Sequence, residues 1–184
     1  LPSAYGGTSN EWESAVVATG AAELFESLYE TADARSVIDF LGFSPRNPSS
    51  IRSCLELARR NARAVRTAIT IEMWEAINAA WLEQRRFDAR SMSRPRLNEF
   101  LTFVREASLR FDGSAYRTML RTDAYSFFRL GVYVERFDST ARILDVKYHV
   151  LLPEGERVGG GVDYFQWSSI LRSVSALNAY HWVY

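Results

Sequence analysis

The most informative segment of the sequence is LGVYVERFDSTARILDVKYHVLLP, residues 130–153. Its apolar residues recur at intervals of three and four, which is the period of an α-helix with one buried face. The pattern predicts one long helix from about Ala115 to Leu152, ended by Pro153. The residues predicted to form its core face are Leu130, Tyr133, Val134, Phe137, Ala141, Leu144, Tyr148, Leu151 and Leu152.

A second set of side chains, the polar row, follows another arc of the same helix. It consists of Glu135, Asp138, Arg142, Asp145 and His149. Apolar residues lie on both sides of this arc, so the row is predicted to be half buried in a groove or an interhelical seam. Buried charges need partners, and Asp138 with Arg142 and Asp145 with His149 have the favourable spacing of four with the acid first. Arg136 projects about 100° away from the row and is predicted to pair with an acid on a neighbouring helix.

A third set, the arginine row, lies on an earlier predicted helix. That helix is predicted to start at Asn47-Pro48-Ser49-Ser50 and to continue to Ile69. Four arginines facing one acid leave positive charge over. The row could dock on the polar row as an ion-pair lattice, or it could bind carboxylate or phosphate groups. Its members are Arg52, Glu56, Arg59, Arg63 and Arg66.

The rest of the chain also has helical periodicity, with few strand signals. The predicted fold is an all-α bundle of about seven mostly antiparallel helices around the long one, in a single domain over residues 1–184. A boundary is expected at Ile69-Thr70-Ile71, before a helix that carries Trp74 and Trp81. The other predicted helices are Glu11–Thr19 stopped by Gly20, Ala21–Tyr29, Ala34–Leu41 ended by Gly42, Leu97–Arg110 ended near Asp112-Gly113, and Tyr164–Tyr184 after a loop from Glu154 to Asp163.

Composition excludes several classes of protein. The chain has 184 residues, 47% of them hydrophobic, with 22 basic and 22 acidic side chains and a net charge of zero. A disordered chain would be less apolar and more charged, and a broad nucleic-acid surface would need excess basic residues. No apolar run approaches the ~20 residues of a membrane span. The single cysteine, Cys54, predicts a reducing compartment and is interpreted as a small core residue, so a cytoplasmic protein is expected.

Signals of catalysis or metal binding are weak. The sequence has no Gly-x-Ser-x-Gly motif and no Cys/His pairing, and its glycine-rich loop lacks the Lys-Ser/Thr ending of a phosphate-binding loop. Asp145 and His149 are four apart, but the chain has only two histidines. No metal site is therefore predicted. The second histidine, His181, is expected to pack within the terminal helix.

Four blocks of sequence, in this order, carry a resemblance to a known family. They are residues 47–66 (NPSSIRSCLELARRNARAVR), 72–81 (EMWEAINAAW), 130–153 and 166–180 (QWSSILRSVSALNAY). Together they resemble the Alpha-E family of bacterial all-helical proteins, named for a Glu-Arg motif that is Glu135-Arg136 in this sequence. The resemblance implies that this chain is the central portion of a longer protein and is incomplete at both ends.

The resemblance also implies a pathway. Genes of the family share their genomic setting with those of a circularly permuted ATP-grasp ligase and a transglutaminase-like protease. This resemblance implies peptide synthesis or peptide tagging. The leading hypothesis is an accessory, non-catalytic module that binds the ligase or presents a peptide or acidic substrate, with ATP and Mg²⁺ supplied only through the ligase. Two alternatives remain open: an enzyme that uses the carboxylates and histidine of the polar row, and a purely structural scaffold.

Overall fold

The structure is a computed structural model that describes residues 11–149 and 159–184, without the side chains of Glu11, Tyr148, His149 and Val162. The described residues form helices and no strand, which confirms the all-α prediction. None of the helices in these ranges is both long and apolar enough to cross a membrane. The helices are α1 (Glu11–Ala18), α2 (Ala22–Glu26), α3 (Ala34–Ile38), α4 (Ile51–Ala64), α5 (Ile71–Glu83), α6 (Arg94–Thr118), α7 (Asp123–His149), α8 (Gly161–Ser173) and α9 (Leu177–Val183).

The chain divides into two compact units. Unit 2 consists of Asp33–Leu130, and unit 1 consists of the described parts of Leu1–Ala32 and Gly131–Tyr184. The division falls inside α7, so its first two turns belong to unit 2 and the rest belongs to unit 1. The arginine row therefore lies in unit 2 and the polar row in unit 1.

A side-chain cap begins each of the helices α4 and α5. Thr70 accepts a hydrogen bond from the backbone N–H of Met73 and begins α5, which confirms the boundary predicted at Ile69-Thr70-Ile71. Ser50 caps α4 in the same way by accepting from the N–H of Ser53. The predicted start at Asn47 was wrong, because its side chain instead closes the preceding turn: it donates to the carbonyl of Phe40 and accepts from the N–H of Ser49.

Aromatic rings form the main core of unit 2. The Phe100 ring of α6 lies 4.8 Å from the Phe43 ring and 5.1 Å from the Phe87 ring, and Phe103 stacks on Phe87 at 5.4 Å. Ala80 of α5 completes this cluster. A second cluster, built on the buried Met73, Ala115 and Met119, joins α5 to the end of α6 and to the start of α7. These two clusters hold α5 in a fixed position between its neighbours.

Several predicted helix boundaries were wrong. Helix α6 continues through Asp112-Gly113 to Thr118, because one glycine costs only about 1 kcal/mol in a helix and the fully buried Ala115 lies on the next turn. Helix α3 is followed directly by a π-helical turn at Asp39–Phe43, so Gly42 does not end it. The predicted terminal helix is divided into α8 and α9 by Ser175, whose φ of +59° interrupts the helix.

The predicted core face of α7 is also largely wrong. Leu130, Tyr133, Val134 and Phe137 are exposed, with 77% of Phe137 accessible, and Ala141 is exposed as well. Unit 1 buries Val146 on another arc of the helix. Apolar residues occur around most of this helix, so their period did not select one face. Leu144 is half-buried, while the side chain of Tyr148, and Leu151 and Leu152, lie outside the described residues. Cys54, interpreted as a core residue, is exposed.

Gly20 ends the first helical segment, as the sequence predicts, and has a φ of +69°. Alanine at this position is expected to lower the melting temperature by a few degrees, because left-handed backbone costs about 1–2 kcal/mol for a residue with a Cβ. The new Cβ would also collide with the guanidinium of Arg142, which would have to move. Thermal unfolding of Gly20→Ala measures the loss.

Gly131→Ala is the matched control for that substitution. Gly131 lies inside α7 with open space where a Cβ would be placed. Alanine is the better helix former, so this variant should keep or raise the melting temperature. Equal losses in both variants would contradict the role assigned to Gly20.

Candidate functional site

Arg52 of the arginine row is bound within unit 2. Its Nε donates to Oε1 of Gln84 at 3.2 Å, and one terminal nitrogen donates to the carbonyl of Phe87 at 3.1 Å. Its guanidinium carbon lies 5.0 Å from the centre of the Phe43 ring. Arg52 therefore joins α4 to the segment that follows α5, through hydrogen bonds from Nε and from one terminal nitrogen.

The next members of the row stack on tryptophans of α5. The guanidinium carbon of Arg59 lies 4.2 Å from the centre of the Trp81 ring and 5.8 Å from that of Trp74, and that of Arg66 lies 5.5 Å from Trp74. The guanidinium carbon of Arg85, just after α5, lies 4.3 Å from the centre of the Trp81 ring. We call these five side chains, Arg66, Trp74, Arg59, Trp81 and Arg85, the arginine–tryptophan ladder.

The ladder holds its arginines without neutralising them. Arg59 donates from Nε to a neutral acceptor, Oδ1 of Asn78, at 2.8 Å. Among the described residues, no ion pair engages Arg59, Arg63 or Arg66. Stacking on an aromatic face contributes about 0.5–2 kcal/mol and orients the guanidinium while its edge keeps free donors. The site therefore presents positive charge in fixed orientations.

Arg63 and Glu56 complete the row and are both exposed. Arg63 lies between Arg59 and Arg66 along the row, because it is four residues after Arg59 and three before Arg66. Arg66 itself lies just beyond the end of α4. Glu56 lies one turn before Arg59, so the positively charged surface on α4 is bordered there by a carboxylate. The sequence correctly grouped the members on α4 on one face of that helix.

The polar row is exposed, which corrects the prediction that it is half buried. Glu135, Asp138, Arg142 and Asp145 are all accessible to solvent. The buried side chains of this part of α7, such as Val146, lie on a different arc of the helix from the polar row.

One of the two predicted ion pairs in the polar row is confirmed. Arg142 donates from Nε to Oδ2 of Asp138 at 2.9 Å, and this hydrogen bond raises the pKa of the guanidinium. Arg142 also donates to the carbonyl of Thr19 at 3.4 Å, which joins α7 to the end of α1. The pair of Asp145 with His149 lies outside the described side chains. Docking of the arginine row on the polar row stays a prediction.

Glu135 and Arg136, the Glu-Arg pair, are consecutive residues of α7 and are both exposed. A family model described as a predicted alpha-helical domain with a conserved ER motif, Alpha-E, matches residues 3–184. The chain belongs to the Alpha-E family. The match spans essentially the whole chain and gives no support to its interpretation as the central portion of a longer protein. A comparison with curated proteins and one with solved structures each gave no match.

The structure of this Alpha-E chain contains a buried ion pair that sequence reasoning missed. Lys147, its only lysine, donates from Nζ to Oδ1 of Asp163 at 2.6 Å and to Oε1 of Gln166 at 2.8 Å. Only 3% of Lys147 and 6% of Asp163 are accessible. The other carboxylate oxygen accepts from the N–H of Gly159 at 2.8 Å. These bonds, with that of Lys147 largest, lower the pKa of Asp163.

This ion pair joins the end of α7 to the start of α8. A signal for it was present in the sequence, because Lys147 is surrounded at helical spacing by Ile143, Leu144 and Leu151 rather than by charged residues. Arginine serves everywhere else as the basic side chain, so a single lysine in an apolar setting indicates a special environment.

A cavity of about 430 Å³ lies between α8 and α9 of the Alpha-E chain, beside Asp163. Its lining includes Trp167, Tyr164 and Tyr180, together with His181. The prediction that His181 packs in a terminal helix needs correction, because this histidine is exposed and its ring meets Tyr180 edge-on at the cavity. Within the described residues, no group of three or more His, Cys, Asp or Glu side chains could hold a metal ion.

Proposed function

We propose that this Alpha-E chain is an accessory, non-catalytic module of a cytoplasmic peptide-synthesis or peptide-tagging system. It works with a circularly permuted ATP-grasp amidoligase by binding the ligase or its acidic substrate. The ligase supplies ATP and Mg²⁺, and a transglutaminase-like protease is a second partner. The observation that carries the proposal is the set of oriented but unneutralised arginines in the arginine–tryptophan ladder.

The physical argument depends on how the arginines are held. A structural salt-bridge lattice would place each guanidinium on a carboxylate, whereas Arg59 and Arg66 contact indole rings and an amide oxygen. Guanidinium groups bind carboxylates through two parallel hydrogen bonds, and prior orientation reduces the entropy lost on binding. The ladder thus supports recognition of an anionic group from outside the chain. In this proposal Glu135 and Arg142 maintain the polar row and take no part in chemistry.

A capture experiment with the full-length ligase tests the proposal. Purified chain and ligase should form a complex at micromolar concentration. Arg63→Glu should weaken this complex about fivefold or more, because a charge is reversed between Arg59 and Arg66. Arg63 makes no ion pair among the described residues, so its replacement should leave folding intact. Arg105→Glu, an exposed arginine on α6, is the matched control and should bind like the natural chain.

Two results would count against the proposal. The first is the absence of any complex at micromolar concentration. The second is a fall in melting temperature for Arg59→Ala and Arg63→Ala with unchanged capture of the ligase, which would favour the structural scaffold.

A further inference from the structure

We infer that the arginine–tryptophan ladder, together with Arg63, recognises an acidic peptide that presents several carboxylates in a line. This inference rests on the proposed function and specifies the chemistry of the ligand. Arg59 and Arg63 follow each other along the axis of α4, Arg66 lies two residues beyond its end, and Arg85 lies just after α5, so the arginines do not surround a single point.

The spacing of the arginines matches repeated carboxylates. Residues of an α-helix rise ~1.5 Å each, so Arg59 and Arg63 lie about 6 Å apart along the axis of α4, and Arg66 follows just beyond its end. In an extended peptide, alternate side chains on one side repeat about every 6.6 Å. Two or three such carboxylates can therefore reach neighbouring guanidiniums at once. A single carboxylate can occupy only one of these positions.

The tryptophans fix the planes of the outer arginines. Arg59 has Trp81 at 4.2 Å and an amide hydrogen bond through Nε, so its terminal nitrogens remain as donors along one edge. The guanidinium carbon of Arg66 lies over Trp74, 5.5 Å from the centre of its ring. Flat guanidiniums with a free edge suit the planar, two-oxygen acceptor of a carboxylate. Arg63, exposed between them, is the adjustable member of the set.

The charge around the ladder favours a short acidic peptide over a nucleic acid. A phosphodiester chain needs a broad excess of basic residues, and this chain has a net charge of zero. Glu56 bounds the positive surface on α4, and Glu75 lies next to Trp74 on α5. The positive surface therefore consists of Arg59, Arg63, Arg66 and Arg85, with the exposed Arg60 beside them on α4. That number suits a peptide with a few acidic residues.

The test compares peptides that differ only in the number of carboxylates. Glutamate peptides of one, two, four and six residues, with rhodamine on the N-terminus and an amidated C-terminus, are titrated with the full chain and followed by fluorescence anisotropy. We expect the tetrapeptide to bind about tenfold more tightly than the single residue, with little further gain at six residues. Tetraglutamine should not bind. Added salt should weaken the tetrapeptide complex, because the contacts are exposed to solvent.

Variants locate the binding surface. Arg63→Gln should weaken tetraglutamate binding about three- to fivefold, and Arg105→Gln should not change it. Trp81→Leu should weaken binding further, because both Arg59 and Arg85 lose the ring on which they stack. Circular dichroism of each variant shows whether its helices are intact.

Several outcomes would overturn the inference. Equal affinity for one and four glutamates would show a single-anion site, and tighter binding of tripolyphosphate or of an oligonucleotide would show a phosphate ligand. Equal binding by Arg63→Gln and the natural chain would place the peptide elsewhere. If the ligase is captured but no glutamate peptide binds, this inference fails and the proposed function stands; if peptides bind and the ligase does not, the partner in the proposed function is wrong.

Discussion

Phe100→Ala is expected to destabilise the chain by about 3–5 kcal/mol, because the substitution removes the ring at the centre of the main core of unit 2. Phe100 is 2% accessible and contacts Phe43, Phe87 and Phe103, so its ring holds α6 against the residues that precede α4 and follow α5. Removing it leaves a cavity that the neighbouring rings can fill only in part. Urea unfolding, followed by circular dichroism, measures the change in the free energy of unfolding.

The matched control is Phe127→Ala. Phe127 is 72% accessible on α7, and truncation of an exposed side chain should change the free energy of unfolding by less than about 0.5 kcal/mol. Similar losses in the two variants would contradict the core described for unit 2.

Arg52 belongs to the border of the same core, since its hydrogen bond to Phe87 and its stacking on Phe43 place it beside the residues that contact Phe100.

The sequence predicted helices better than it predicted faces. The glycine stop at Gly20 acts through a local φ angle and the break before α5 through the β-branched residues Ile69-Thr70-Ile71, so both could be recognised from neighbouring residues alone. The buried face of α7 could not, because apolar residues occur on most arcs of that helix. Which arc is buried depends on the residues of other helices that pack against it, and a period in one segment contains no such information.

In the candidate site, too, the shared helix face could be predicted from the sequence and the partners of its residues could not. Residues of the arginine row share one face of α4, which helical spacing determines. Their partners are Trp74, Asn78 and Trp81, which lie on α5 at positions that only the packing of two helices brings next to Arg59. The expectation of carboxylate partners followed from the rule that buried charges are paired, but aromatic faces can hold a half-buried guanidinium as well.

Lys147→Met is expected to lower the melting temperature by on the order of 5–10 °C. The methionine fills the volume of the lysine stem but leaves the carboxylate of Asp163 buried without its cation. The expected loss comes from this uncompensated charge, together with the loss of the bond to Gln166. Differential scanning calorimetry at pH 7 gives the comparison.

A second substitution distinguishes this cause from simple loss of packing. In Lys147→Met/Asp163→Leu no charge remains buried, and apolar replacement of an ion pair is often close to neutral. The double variant should therefore regain most of the melting temperature that the single variant loses, except for the contributions of the Lys147–Gln166 and Gly159–Asp163 hydrogen bonds. Losses that simply add in the double variant would show that the two side chains do not stabilise each other.

The dependence on pH gives an independent check of the same pair. Lys147 and Gly159 lower the pKa of Asp163 in the folded chain, whereas an unfolded aspartate titrates near its ordinary value of about 3.9. The stability that the pair contributes is thus complete above that value and is lost as the pH falls through the lowered folded pKa. In Lys147→Met the largest cause of the lowering is gone, so Asp163 takes up its proton at higher pH and relieves the buried charge. The difference in melting temperature between the two proteins should therefore be greatest near pH 7 and should shrink below about pH 4; a difference that stays constant down to about pH 3 would mean that the charge of Asp163 is not its origin.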